Sequence, residues 1–371
     1  MKHFGTVSYN LYGNFTNYGS ALQTWALHQA VNHLGKGRWE AVLVDYCPEI
    51  LADKDPLNPF KNMWDQDPES QRMCALTLPA IRENYAKFDA FYHDRFRRTA
   101  RKYTASDFDQ IIEDERLDGF VCGSDTIFCP DEFGFDDGYY ANYACMRGRS
   151  IAYAASFGDP HFTEETWPVL RARLQNFRAL GLRENLMVPY AREHTQAPVR
   201  RVIDPTLLLT EEDYAPIVAP PQQREPYLLL YARRYNPAME AYARRLAEQN
   251  GWMIVEISLR ATNADKGHIM RYDAGVEEFL ALTSHAAFVV TNSYHAVIFS
   301  VQFRRPFVVF SREQCDTKIA ELLDLCGLSG RAMRTGDEAL APLDFDDVHR
   351  RIGPARQDSL AFLEASLEGL A

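Results

Sequence analysis

Residues 286–303 read AAFVVTNSYHAVIFSVQF, and this stretch decides the fold class. An apolar run rich in β-branched residues, 286–290, breaks at the polar Thr291-Asn292-Ser293 and passes at once into a second apolar run, 296–303, of helical length. A buried strand that turns directly into a helix is the repeat unit of a parallel sheet with crossover helices. Working outward, the pattern recurs. FGTVSY (4–9), EAVLVDY (40–46), GFVCG (119–123), SIAYAAS (150–156) and RRVI (200–203) read as strands of the first half; YLLLYA (227–232), WMIVEIS (252–258) and PFVVF (306–310) read as strands of the second. Between them Leu27, Ala30, Val31 and Leu34 follow helical spacing, and TWPVLRARLQNFRAL (166–180) reads as another helix. The expected class is α/β.

The Pro-rich polar stretch APIVAPPQQREP (215–226) suits neither a helix interior nor a central strand, so it divides the chain. The expected organisation is an α/β domain over 1–205, a linker over 206–225, a second α/β domain over 226–335 and a helical tail over 336–371, where RQDSLAFLEASLEGL carries an apolar stripe that suits docking. Residues 48–101 form the least regular segment, with helices expected over or beside the first sheet.

The 371 residues are 46% apolar and 25% charged, ordinary for a globular chain of two cores. Lys and Arg number 40 against 51 Asp and Glu, a net charge of −11, so no broad basic surface draws the protein to nucleic acid or anionic lipid. An anionic ligand must meet a local cluster. The seven cysteines are scattered without a C-x-x-C pair and read as buried reduced thiols; with neither a leader-like apolar start nor a membrane-spanning run, a cytoplasmic protein is expected. No metal-ligand spacing is recognised.

In open α/β sheets ligands gather beyond the carboxyl ends of strands. The loop after the first strand holds Asn10, Asn14, Asn17, Tyr18 and Ser20, which either face a ligand or form turns and a helix cap. Ser124 and Asp125 follow GFVCG, where Asp125 faces the cleft or caps a turn. Arg183, after Leu180-Gly-Leu182, either forks onto a phosphate or carboxylate or forms a surface pair with Glu184. Arg233 and Arg234 precede Asn236-Pro237, a helix start that can hold an anion. His295 is the sharpest candidate, because an imidazole at a strand-to-helix junction titrates near neutrality beside helix amides, with Asn292 and Ser293 flanking it. His268 in a charged loop and His285 within a helix are weaker.

Read in order, N-Y-G-S-A-L-Q, G-S-D, Y-A-A-S-F-G, the R-E pair, D-P-T-L-L-L and T-N-S-Y-H-A-V-I-F-S resemble the polysaccharide pyruvyl transferase family over residues 5 to about 328. The tracts Tyr272-Asp273, Arg305-Pro306-Phe307 and Thr317-Lys-Ile-Ala-Glu-Leu-Leu add to the resemblance. It implies two Rossmann-like domains facing a cleft, similar to B-type glycosyltransferases, with the acceptor side in the first domain and the donor-site histidine motif in the second. The implied reaction moves pyruvate from phosphoenolpyruvate, as co-substrate, onto sugar hydroxyls as a ketal.

By the same resemblance His295 is catalytic and Arg183 binds the donor; from their places after the strands, Arg233, Arg234, Asn292 and Ser293 are expected at the donor, and Asn10, Asn14, Asn17, Tyr18, Ser20, Ser124 and Asp125 on the acceptor side or in the cleft. The implied acceptor is a cell-surface glycan such as an exopolysaccharide, or a lipid-linked oligosaccharide, with at most peripheral membrane association. No cofactor is required, while Mg²⁺ can act through the donor phosphate. Two positions depart from the family pattern: Ser293 stands where some branches carry arginine, leaving that contact to Arg233 or Arg234, and Thr126-Ile-Phe-Cys129 replaces Q-V-W-N after G-S-D. The alternatives are a nucleotide-sugar glycosyltransferase on the same fold and a non-catalytic glycan-binding relative.

Overall fold

The computed structural model describes residues 1–9, 11–12, 16–57, 68–221, 223–258, 266–312, 315–340 and 342–370, with backbone alone over 68–76. Two six-stranded sheets, parallel throughout, organise the chain. The first comprises β1 (Lys2–Val7), β2 (Trp39–Leu43), β3 (Gly119–Cys122), β4 (Ser150–Ala155), β5 (Phe177–Leu182) and β6 (Val199–Arg201), in the order β2-β1-β3-β4-β5-β6. The second comprises β7 (Tyr227–Tyr231), β8 (Met253–Ile257), β9 (Ile269–Arg271), β10 (Phe288–Thr291), β11 (Phe307–Phe310) and β12 (Ala332–Met333), in the order β12-β11-β10-β7-β8-β9. Strands β3, β4, β7, β10 and β11 are buried along their whole length, as expected where helices cover both faces of a parallel sheet.

The helices that matter for the site are α1 (Tyr18–Gly35), α2 (Pro68–Asp94), α3 (Thr166–Leu174), α4 (Val188–His194), α5 (Pro237–Asn250), α6 (Val276–Ser284), α7 (Tyr294–Gln302), α8 (Asp316–Cys326) and α9 (Phe345–Glu368). The C-terminal half of α1 carries the expected stripe. Its N-terminal half is buried on every side, with Ser20, Gln23, Thr24 and His28 among the buried groups, because the second domain packs on the face that a lone sheet would leave wet. One continuous apolar cluster therefore runs through both domains, joining Leu22 and Trp25 to Tyr214, Phe279 and Phe299.

Three sequence expectations need correction. The helix read over 166–180 ends at Leu174, and Phe177–Leu182 is strand β5, whose apolar residues match either period over so short a run. The last strand of the first sheet is Val199–Arg201, slightly earlier than RRVI. Of the described cysteines, Cys145 is partly exposed while the others are buried. The edge strands β9 and β12, three and two residues long, carry too little pattern to be read.

Between the sheets the chain is docked. Pro205–Leu207, Glu211–Tyr214 and Ala215–Ile217 form successive helical turns, with Leu207, Leu208, Tyr214 and Ile217 buried in the shared cluster. Helix α9 returns to the first domain: Ser359 Oγ accepts the Ile203 amide at 3.1 Å, and Arg38 pairs with Glu364 and Glu368. Gly181 on β5 admits Phe362 of α9, since a Cβ there would come within 2.9 Å of its ring. Among the described residues no helix is long and apolar enough to cross a membrane.

Candidate active site at the domain seam

The carboxyl ends of the strands deliver polar residues to one seam. Asn17 caps α1, its side chain accepting the Gly19 amide at 3.0 Å and the Ser20 amide at 3.3 Å, so the start of α1 follows β1 in a fixed pose. Ser124 and Asp125 follow β3, Arg183 follows β5, Asp204 lies just past β6, and His295 is the second residue of α7 after β10. Ser293 caps α7 through the Ala296 amide at 3.4 Å, which places the imidazole on the first turn.

Arg183 is 4% exposed and Asp204 1% exposed, so neither forms a surface pair. One end of the guanidinium, Nη2, donates to Ser124 Oγ; Nη1 lies 3.3 Å from Asp204 Oδ2. That approach is electrostatic rather than aligned, and among the described residues both Nη1 and Nε of Arg183 lack a hydrogen-bond partner. Asp204 Oδ2 also lies 3.5 Å from His295 Nε2, which likewise has no hydrogen-bond partner. The other oxygen, Oδ1, caps the next turn by accepting from the Thr206 amide at 3.0 Å and its hydroxyl at 2.6 Å. The opposite edge of the imidazole lies against the start of α1: a Cβ on Gly19 would reach 2.0 Å from His295 Nδ1, so only glycine fits there.

The charges act on each other through little water. Burial by itself would raise the Asp204 carboxyl, but Arg183 and then His295 and Thr206 hold it well below the usual carboxylate range. Asp125 behaves alike: burial is outweighed by Arg183, His295, Lys318 and the hydroxyl of Ser20, which donates to its Oδ2. Burial opposes the charge of Arg183, yet Asp204, Tyr294, Glu184 and Asp125 keep its affinity for the proton raised. Glu184 is turned away, accepting from Ser156 Oγ at 2.5 Å, and burial raises its carboxyl. The seam thus presents a fixed guanidinium and an imidazole backed by one carboxylate. Such a set can bind an anion and move a proton beside it.

A profile of the polysaccharide pyruvyl transferase family matches residues 17–314, which include Ser20, Ser124, Asp125, Arg183, Asp204 and His295. The chain belongs to that family. No curated protein matches the sequence. Among solved structures, a UDP-N-acetylglucosamine 2-epimerase from Rickettsia bellii is 11% identical, with 98% of this chain and 96% of that one covered and a TM-score of 0.52. S. aureus MnaA, in a co-structure with UDP, is 14% identical over 94% of this chain and 87% of that one, with a TM-score of 0.49. At this identity the first likeness shows the fold alone, two parallel-sheet α/β domains of the B-type glycosyltransferase kind.

In this pyruvyl transferase family member the structure gathers His295, Arg183, Ser124, Asp125 and Ser20 at one place. Ser124 orients Arg183 while donating to the Ala154 carbonyl at 2.7 Å. Asn17 serves as cap, and Tyr18 joins the domains, stacking on Phe279 at 4.7 Å and donating to the Ala274 carbonyl at 2.7 Å. Asn292 ties the loops of the second sheet, accepting the Arg233 amide at 2.7 Å and donating to the Arg234 carbonyl at 2.8 Å. Half-buried Arg233 and exposed Arg234 stand before the Asn236-capped α5. Asn10 and Asn14 lie outside the described residues. His268 lies in the loop before β9 with its side chain buried against Glu256 at 2.7 Å, and His285 caps α6 rather than lying within it.

The sequence carries no signal for Asp204 at the site, because Asp-Pro-Thr reads as a complete local cap. One oxygen does form that cap. The second oxygen serves partners distant in sequence, and no local signal reports them.

Proposed function

We propose that the protein transfers pyruvate from phosphoenolpyruvate to two hydroxyls of a glycan sugar, forming a ketal and releasing phosphate. The observation that carries this reading is the buried Arg183 guanidinium, whose Nε and Nη1, held near Asp204 by charge alone, have no hydrogen-bond partner among the described residues. Burying such donors is costly without an acceptor, and a carboxylate or phosphate supplies one. Beside Arg183, Asp204 and Tyr294 a cavity of about 20 Å³ leaves room for about one water.

In this scheme a proton is added to the methylene carbon of the enol phosphate, which makes the central carbon electrophilic. One sugar hydroxyl attacks it, the C–O bond to phosphate breaks, and a second hydroxyl closes the ring. Of the two hydroxyl protons, one balances that delivered to the methyl group and the other leaves with phosphate. Asp204 faces His295 from the Nε2 side, and the imidazole is the group that exchanges a proton in this scheme. Arg183 holds the donor's anionic groups, and amides at the starts of α1 and α7 add partial positive charge. Mg²⁺, if used, acts through the donor phosphate. The acceptor is a cell-surface glycan or its lipid-linked precursor, met on the first-domain side at Ser20, Ser124 and Asp125, in the cytoplasm.

Thermal unfolding with phosphoenolpyruvate or UDP-N-acetylglucosamine tests the donor. At a hundred times its dissociation constant phosphoenolpyruvate should add about 2.7 kcal/mol of stability. Stabilisation by the nucleotide sugar alone would replace this reading with a nucleotide-sugar transferase.

A further inference from the structure

A cavity of about 770 Å³ lies on the first domain, between the β5–β6 edge of the sheet and helix α9. Arg178 on β5 and Arg200 and Arg201 on β6 line it, against a single carboxylate, Asp358. In a chain of net charge −11 this is a local reversal of sign, the kind of cluster that an anionic ligand needs. Arg201 pairs with Glu321 at 3.4 Å, whereas Arg178 and Arg200 are exposed and have no ion-pair or hydrogen-bond partner among the described residues. Arg200 is paired with Gly181, so its Cβ lies on the face of the sheet that Phe362 of α9 covers. Leu363 and Leu367 fasten α9 to the core, while Ala361 and Ala365 stay exposed beside the cavity and complete an apolar wall with Phe362. Arg201 borders the seam cavity as well, so the groove begins next to the candidate site, within about 11 Å of Asp204 along the chain.

We infer that this groove is a second binding site, for an organic diphosphate: Arg178 and Arg200 hold the phosphoryl groups, and the apolar wall of α9 takes the chain that carries them. Each guanidinium can fork onto phosphoryl oxygens, and two unpaired cations on neighbouring strands match two adjacent phosphoryl groups better than one. Charged side chains on an edge strand also guard it against pairing with another sheet. That role would account for Arg200 and Arg201 on the edge strand β6, but not for Arg178 on the interior strand β5 or for the cavity between them and α9. Use of the groove by the carrier end of the acceptor, with its sugar at the seam, rests on the acceptor reading above; the diphosphate site itself does not.

Calorimetry on the full chain with geranyl diphosphate and, separately, inorganic pyrophosphate tests the site. Geranyl diphosphate should bind more tightly than pyrophosphate, and both should weaken as salt rises. In Arg178→Gln/Arg200→Gln the affinity for geranyl diphosphate should fall at least about tenfold, the scale of one hydrogen bond to a charged group. Ala365→Glu, which adds a carboxylate to the exposed side of α9 and leaves its core contacts in place, should weaken binding in the same sense. Both variants should bind phosphoenolpyruvate as the wild type does, so failure of the donor reading is seen separately from failure of the groove. Unchanged geranyl diphosphate affinity in both variants overturns the inference, as does equal affinity of the wild type for the two diphosphates. Wild-type indifference to both ligands, with self-association of the double arginine variant in sedimentation, would leave these arginines as guards of the edge and overturn it too.

Discussion

Among the charged contacts between the domains, two are built differently. At the outer contact Lys87 of α2 reaches Asp273 and Glu278, each at 2.9 Å, and Arg95 pairs with Glu277 at 2.6 Å, all on half-exposed side chains. There every cation has a carboxylate, and water completes their shells. At the inner contact Arg183, Asp204 and His295 are buried, a single Asp204 oxygen faces both the guanidinium and the imidazole, and N–H donors of Arg183 are left over among the described residues. The outer arrangement suits holding domains together, since it is satisfied as it stands. The inner one is incomplete without a ligand, and desolvated incompleteness of this kind is what a binding site needs.

The comparison can be broken or sharpened by four measurements. Asp204→Ala removes the carboxylate that lies within 3.5 Å of both Arg183 and His295, so urea unfolding should show a loss of about 3–5 kcal/mol. A loss below about 1 kcal/mol would make the inner contact energetically like the outer one. His295→Gln should leave the melting temperature close to wild type while acceptor-dependent phosphate release falls at least about a hundredfold, equivalent to about 2.7 kcal/mol of barrier. Near-normal release from a folded variant would show that the imidazole serves packing.

A buried histidine without a carboxylate provides the contrast within the first domain. His28 lies edge-on to Phe96 with Nδ1 unpartnered, and burial pushes it down to about 4. The neutral form is favoured in the folded state, so between about pH 6.5 and 4 the unfolded chain binds more protons and stability falls as pH falls. Asp136 acts in the opposite sense, because burial pushes it up to about 6 and its protonation relieves the fold over the same range. Unfolding of wild type and His28→Gln at pH 7 and 5 separates them: the gap between the two proteins should change by about 2 kcal/mol in favour of the variant at pH 5. An unchanged gap would mean that His28 is solvated in the folded protein. The smallest effect is expected for Lys87→Met, within about 1 kcal/mol of wild type and reduced further by salt. A larger loss would show that the outer contact governs domain closure.

The fold class and the family were legible because their signals are local. Apolar strands, the Asn17 and Ser293 caps and the ordered motifs each depend on residues adjacent in the chain, where period and capping chemistry can be read directly. Failures arose where local patterns were degenerate, as at Phe177–Leu182, or too short, as at β9 and β12. Within the seam, sequence alone singled out Arg183 and His295 by their positions after strands. Only the tertiary structure decided that Asp204 joins them and that Tyr18 faces the other domain rather than the cleft. The physical reason is that a carboxylate has two oxygens and a helix several faces. Local sequence accounts for one partner of each, while the partner that makes a site is supplied by chain closure between distant segments.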